Sequence, residues 1–454
     1  MKPKQTFIFS LCLMAYLLPA YYSHAQSDIL ESYVQEGLER NLSLKQQDLV
    51  YDKAVSALQE AKGLFLPQVS AIANYTLAGG GRTLDFPIGD LFNPVYATLN
   101  ELTERQQFPT NLENVEEQFL PHNFQESKLR IVQPLFNSGI YFNRRAKQAL
   151  ISVEEAKKQA FRQDVSKDIR VAYFSYLKTV EVGKIYQETA PLLEEILRVN
   201  ERLVANDKAT REVVYAAQHE VSKLAQQQAQ ALRQQQMAKA YMNFLLNRPL
   251  DQLIEVDSSF QPSPMREDLN GLEDLAMQER GELRHLTLAQ AANTEAIELH
   301  RSAWLPQINA VLDVGFQGYG YNWGKEQDYW LGQVSLQWDL FQGGQRKARV
   351  QQAKIDQEIL LNQQSQLEQQ LRLQVQEAYY KLTEAQSAIE AAKAGLRSAQ
   401  QAYRLSEKKY RQDQANFLEL TDARTRMTQA RISLAIASYD LLIQQADLQW
   451  AIGR

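Results

Sequence analysis

The stretch WLPQINAVLDV, Trp304 to Val314, decides how the whole chain is read. After its proline the residues alternate: Ile308, Ala310, Leu312, Val314 and then Phe316 oppose Gln307, Asn309, Asp313 and Gln317. Period two with one apolar and one polar face predicts a strand. A partner follows, with Val334, Leu336, Trp338 and Leu340 against Gln333, Ser335, Gln337 and Asp339. Each strand has about ten residues, the span that a tilted strand needs to cross a bilayer. Tyr319, Tyr321, Trp323, Tyr329 and Trp330 crowd the turn, as a membrane interface would require. The pattern alone leaves two fates for the apolar face, the core of a soluble sandwich or the lipid around a barrel.

The same phrase stands earlier as FLPQVSAIANY, Phe65 to Tyr75, with leucine, proline, glutamine and a later alanine in register 239 residues apart. Three more matches keep the order. ERNLSLK from Glu39 pairs with ERGELRH from Glu279, QPLFNSG from Gln133 with WDLFQGG from Trp338, and EVVYA from Glu212 with ELTDA from Glu419. An ordered set of this kind is an internal duplication, and it divides the chain into residues 26–250, a linker at 251–267, and residues 268–454. The first copy alternates from Val69 to Leu77 and has a poorer partner strand from Leu129 to Phe136, with Pro134 near its end. Its extra residues fall in 77–126, where AGGGR, four prolines and no sustained period predict a long loop.

The remainder reads as helix. From Leu371 an apolar stripe runs through Val375, Ala378, Leu382, Ala385, Ile389, Ala392, Leu396, Ala399 and Tyr403, in steps of four and three. That is the rhythm of closely packed helices, with alanine at every second place. The last helix repeats it with Ala423, Met427, Ala430, Leu434, Ala437 and Leu441. Long helices are predicted over 140–205 and 344–412, each about 100 Å at ~1.5 Å per residue, some three times the hydrocarbon thickness of a bilayer. Shorter ones are predicted at 28–61 with 209–247, and at 268–302 with 415–450, so that two short helices match one long one in length.

Composition narrows the function. Lys2 and Lys4, the apolar FIFSLCLMAYLLP and SHA before Gln26 read as a secretory signal peptide over residues 1–25. The only cysteine, Cys12, lies inside it, so the mature chain holds no thiol for disulfide or nucleophile. Removing two lysines and no acids takes the formal charge from −5 to −7, which gives no reason to expect a nucleic-acid partner. The mature chain has no uncharged apolar run of 18 residues for a spanning helix, although barrel strands leave a fainter trace. His122, His219, His285 and His300 stand apart without metal-ligand spacing, AGGGR lacks the lysine and hydroxyl of a phosphate loop, and no nucleophile–base motif occurs. The chain therefore reads as no enzyme, with no cofactor and no metal.

In this order of motifs the chain resembles the outer-membrane efflux family typified by TolC, across essentially the whole mature sequence. The resemblance rests on LPQ before a strand in both halves, on QPLFNSG and WDLFQGGQRKARVQQAK leading into the long helices, and on LLNRPL closing the first half. Its most specific part is YRQDQANFLELTDARTRMTQARISLAIASYDLLIQQADLQWAIG. The resemblance implies a membrane protein of mixed α and β structure, a homotrimer in which each copy gives four strands to a twelve-stranded outer-membrane barrel. The helices would continue it as a tunnel through the periplasm. Physics supplies one part independently: four strands cannot close a barrel, and open edges in lipid leave backbone groups unsatisfied, so copies must join.

The implied function is a duct in the cell outer membrane, taking small molecules from an inner-membrane pump through a periplasmic adaptor protein. An outlet for type I protein secretion would share the same wall, and a periplasmic coiled-coil scaffold without a pore is the alternative of another class. Gln307, Asn309, Asp313, Gln333, Ser335, Gln337 and Asp339 would line the barrel lumen. The turns between long and short helices, Asn206, Asp207 and Lys208 with Asp413 and Gln414, would form tips that meet the adaptor. Asn206 and Asp413 stand where the family usually has glycine, and both residue types tolerate left-handed backbone. Glu419 and Asp422 match acids that ring the narrowest point of TolC-like tunnels, Glu212 holds the equivalent first-half position, and Tyr410 matches a tyrosine that holds the closed state. Six carboxylates gathered in a trimer would favour cations. Ala415 departs from the family, whose closed state often uses arginine there, so the lock would be weaker or would use other residues, of which Lys208 and Arg211 are the nearest in sequence.

Overall fold

In a computed structural model of the chain, residues 28–257, 260, 268–321, 324–412 and 414–454 are described. The signal-peptide segment, Trp323, Asp413 and most of the linker's second half lie outside them. The described chain forms two compact units, and each draws on both sequence repeats.

The first unit comprises residues up to 45 together with 160–280 and 369–454. It is helical throughout. Helix α1 spans Asp28–Arg40 and α2 begins at Leu42, so the single helix expected over 28–61 is broken. Asn41 makes the break: its Oδ1 accepts from the Ser43 and Leu44 amides at 3.0 and 3.1 Å, while its Nδ2 donates to Leu245 O at 2.9 Å. A side chain that caps the following turn competes with helix continuation. The repeat shows the same break, with Arg280 in extended backbone between α6 (Leu269–Glu279) and α7 (Gly281–Ser302).

Long helix α4 (Ser138–Ala205) enters this unit from the other, as does α8 (Gln345–Arg411); α5 (Glu212–Leu245) and α9 (Phe417–Ala451) lie wholly within it. One core joins Leu30 and Val34 of α1, Ile169, Tyr173 and Leu177 of α4, Met242 of α5, and Leu442, Ile443 and Ala446 of α9. A second joins Leu272 and Ala276 of α6, Val375, Ala378, Leu382 and Ala385 of α8, and Leu441, Leu448 and Ala451 of α9. The α8 stripe read from the sequence is therefore buried from Leu371 to Ala385 and half-buried beyond. Helix α9 differs from expectation. It packs on two neighbours, so Leu420, Arg424, Ile432, Ala435, Leu442 and Ala446 are buried beside the single stripe that the heptad pattern isolates.

The chain beyond α5 is tied to this unit up to residue 257. The Tyr173 hydroxyl donates to Glu255 O and accepts from the Asp257 amide, both at 3.1 Å, and Tyr33 Oη accepts from the Glu255 amide at 2.9 Å. Burial pushes the Tyr173 phenol up to about 12, which keeps the donating proton in place.

The second unit comprises 46–159 and 281–368. Its centre is one antiparallel sheet in the order β1 (Gln68–Thr76), β4 (Phe124–Asn137), β5 (Gln307–Tyr319), β6 (Asp328–Gln337). Strands β4 and β5 bring the two repeats together, and β1 and β6 are free edges. Leu135 is an extra residue between the pairs Pro134–Asn309 and Phe136–Ile308. A bulge is where a strand can hold a proline, because one ladder donor is already missing. Alongside the sheet, α2 (Leu42–Gly63) meets α4 through Lys158 and Asp48 at 2.5 Å, and α7 meets α8 through Asn293 Nδ2, which donates to Ala353 O at 2.9 Å.

Residues 77–126 are not a plain loop. They hold a two-stranded sheet, β2 (Thr83–Phe86) with β3 (Val115–Gln118), and helix α3 (Ile88–Thr103). Ile88, Leu91, Phe92, Val95, Tyr96 and Leu99 keep helical spacing there, and Pro94 inside the helix hides the period.

Candidate functional site

Two sets of charged residues carry the functional argument, one in each unit. The first arises from strand register. Pairing of β1 with β4, β4 with β5 and β5 with β6 puts Ser70, Asn74, Glu126, Lys128, Arg130, Asn309, Asp313, Gln317, Gln333 and Ser335 on one face. The opposite face carries Val69, Ala71, Leu129, Ile131, Ala310, Leu312, Val314, Trp330, Val334 and Leu336. Trp330 is 76% exposed and Val334 68%, so among the described residues this face stands largely open. Gln307 and Gln337 pair at the sheet's end and share the polar face. Asp339 does not: β6 ends at Gln337, and Asp339 accepts from Gln342 Nε2 at 2.8 Å in the connection to α8. Tyr329 likewise leaves the expected aromatic belt, because its parity turns it to the polar face, where its hydroxyl donates to Glu126 Oε1 at 3.1 Å.

At the centre of the polar face Arg130 donates through Nε and Nη2 to the two carboxylate oxygens of Asp313, at 2.8 and 2.7 Å. Lys128 Nζ stands 2.6 Å from Glu126 and 3.3 Å from Asp313. Asp313 is 1% exposed, so this paired fork is a structural joint between the repeats as well as a polar patch. Of these residues the sequence reading had only Asp313. Glu126, Lys128 and Arg130 alternate with Ser127, Leu129 and Ile131, but a strand read from Leu129 leaves Glu126 and Lys128 outside it.

The second set lies at the helix turns of the first unit. After α4, the Asp207 amide bonds Val204 O at 3.1 Å and the Lys208 amide bonds Leu203 O at 2.9 Å, with Asp207 at φ 53°. This is the left-handed helix cap, and its special residue is Asp207 rather than Asn206. Asn206 instead donates its side chain back to Arg202 O at 2.7 Å. After α8 the Gln414 amide reaches Lys409 O at 2.9 Å, the same five-residue span as Lys208 to Leu203.

Helix α9 starts with Asn416 as its cap, whose Oδ1 accepts from the Glu419 amide at 2.9 Å. Leu420, Thr421, Ala423 and Arg424 are buried, which leaves Glu419 and Asp422 together on the exposed flank. Asp422 pairs with Arg426 one turn on, at 2.8 Å, so the expected acid set carries a basic neighbour. Glu212 is exposed in the first turn of α5, where the helix dipole favours a carboxylate.

Tyr410 donates to Asn200 Oδ1 at 3.3 Å, and Asn200, 1% exposed, passes the link to Val213 O at 3.5 Å, beside Glu212. Two further ties join the repeats here, Arg431 to Glu188 at 2.5 Å and Lys178 to Asp440 at 2.8 Å. The Arg431 guanidinium holds the Glu188 carboxyl below its usual value. Sequence reasoning missed Asn200, because a buried asparagine in a long polar helix leaves no mark in the pattern. His285 is half-buried in the second unit, where burial first and then Lys157 push its imidazole down.

A sheet with one apolar and one polar face, together with long helices in two repeats, is the arrangement that the resemblance to TolC-like proteins implies. Residues 272–454 match the family described as outer membrane efflux protein, in line with the resemblance read from the sequence. Solved structures agree over nearly the full length. The outer-membrane channel OprN is 17% identical, with a TM-score of 0.73 over 95% of this chain and 92% of that one. The CmeC outer membrane channel of Campylobacter jejuni is 15% identical, with a TM-score of 0.73 over 94% and 86%. The open state of the MtrE outer membrane channel of Neisseria gonorrhoeae is 18% identical, with a TM-score of 0.71 over 94% and 89%. At these identities the likeness is one of fold. No curated protein matches the sequence.

Proposed function

We propose that the chain is the outer-membrane duct of a tripartite efflux system, acting as a homotrimer. The observation that carries this is the four-stranded sheet with free edges at β1 and β6 and with opposed apolar and polar faces. In lipid, each free edge would strand a row of backbone donors and acceptors, so β1 of one copy must pair with β6 of the next. Three copies give twelve strands and a lumen wide enough for water, with Asn309, Asp313, Gln333 and Ser335 facing it. A scaffold without a pore gives the apolar face no role.

The helices then carry the path through the periplasm to an inner-membrane pump, with a periplasmic adaptor meeting the turns at Asn206, Asp207, Lys208 and Gln414, and at Asp413. Glu419 and Asp422, with Glu212 in the first repeat, form the acidic constriction, and cations pass it more readily than anions. The closed state is held by Tyr410 on Asn200 and by Arg431 on Glu188, in place of the arginine absent at Ala415. Purified full-length chain in a planar bilayer tests this reading. It predicts a small cation-selective current whose selectivity falls in the Glu419→Ala, Asp422→Ala double variant. A protein that conducts nothing and stays soluble without detergent contradicts the duct.

A further inference from the structure

A small cavity in the first unit lies between α4, α5 and α9, apart from the acidic flank and from the ties just described. It measures about 40 Å³ and is lined in part by Tyr186, Thr189, Glu220, Lys223, Arg424 and Thr428. That is room for a few waters or one small ion. Arg424 dominates it. The side chain is 3% exposed, and among the described residues its Nε and Nη1 meet no acceptor. The carboxylate of Glu220 stands 3.9 Å from Nη2, too far for a hydrogen bond. Desolvation pushes the guanidinium down more than Glu220 restores it, yet arginine stays protonated in proteins. Lys223 is exposed at the rim, so the buried charge is that of Arg424, and Glu220 is the lining carboxylate that faces it without reaching it.

Water placed in the cavity would satisfy the two open donors but would leave the buried guanidinium without a hydrogen-bonded counter-charge. A small anion does both. We propose that this cavity binds one monovalent anion of the halide class, accepting from Nε and Nη1 of Arg424 and bridging α9 to α5 and α4. The cavity is too small for a larger oxyanion. The bound ion is an internal ligand of the helical unit, and the proposal stands whether or not the chain conducts.

Crystals of the full-length protein grown in sodium bromide test it by anomalous scattering. An anomalous peak within hydrogen-bond reach of Arg424 Nε and Nη1 is the expected result; a cavity holding only water at saturating bromide overturns the proposal. Thermal unfolding in sodium chloride and in sodium gluconate at equal ionic strength is the second readout. The midpoint rises with chloride alone in the wild type, and Arg424→Met removes that difference. Glu220→Gln lowers the half-saturating chloride concentration several-fold, because the competing carboxylate is gone. Equal midpoints in the two salts, or an unchanged half-saturation in Glu220→Gln, contradict the site even where Arg424→Met does not fold.

Discussion

In the sheet, Asp313 is 1% exposed and is gripped by Arg130 and Lys128 from the neighbouring strand; at the start of α9, Glu419 and Asp422 project from an exposed flank. Asp422 pairs with Arg426, on its own helix. The first arrangement locks strands of the two repeats in register, and the second leaves charge available to whatever passes. The same residue types thus serve cohesion in one unit and stand open to solvent in the other, where the proposed duct would use them for selectivity, and burial decides which. A carboxylate that loses water must be repaid by fixed partners, whereas an exposed one keeps its field for ions in solution.

The contrast breaks most easily at Asp313. Asp313→Ala leaves Arg130 without its bidentate partner, while Lys128 keeps Glu126, and should cost roughly 1–3 kcal/mol, read as a lowered thermal unfolding midpoint in detergent; an unchanged midpoint would mean the fork does not bind the strands. Gly315→Ala comes next. A Cβ there would sit 2.2 Å from Ser127 O and 2.6 Å from Lys128 Cα, so β4 and β5 must separate. About 1–3 kcal/mol is expected, measured by the same unfolding transition.

At the turns the effects on stability are smaller. Tyr410→Phe removes the donor to buried Asn200 and should cost about 1 kcal/mol; its sharper readout is a raised open probability in single-channel records. Glu419→Ala with Asp422→Ala should change stability by less than ~0.5 kcal/mol while reducing cation selectivity, the reverse of Asp313→Ala. Acid gives the smallest effect. The folded-state value of Glu188 lies below the usual 4.5, so its tie to Arg431 is complete above that pH and fades as pH falls through the lower folded value. Channel closure should be unaffected between neutral pH and about 5, and should loosen only in stronger acid; loosening already near neutrality would assign the tie to another group.

Much of this was legible in the sequence, for identifiable reasons. Strands β5 and β6 show in the text because nearly every second residue is apolar, and α8 shows because one stripe faces one partner. Where a residue answers to two neighbours, the pattern blurs. Helix α9 buries two faces, so a single heptad stripe describes half of it. Strand β4 carries its charges on the side where a partner strand neutralises them, which a one-dimensional pattern does not reveal. The fold of 77–126 was hidden by Pro94 and by glycines that signal turns. At the first tip, Asn206 and Asp207 are both residues that accept left-handed backbone, and only the hydrogen bonds to Leu203 and Val204 select Asp207.

The central claim is that free edge β1 pairs with β6 of another copy, three times round. The only cysteine of the chain is Cys12, within the signal-peptide segment, so paired cysteines introduced into the two edges report without background. Ser70→Cys or Asn74→Cys would be combined in turn with Gln333→Cys, Ser335→Cys or Gln337→Cys, oxidised in native membranes and separated under denaturing conditions. The account predicts that the pair in register yields a covalent ladder ending at three copies. A ladder that stops at two, or no cross-link from any pair, would contradict it.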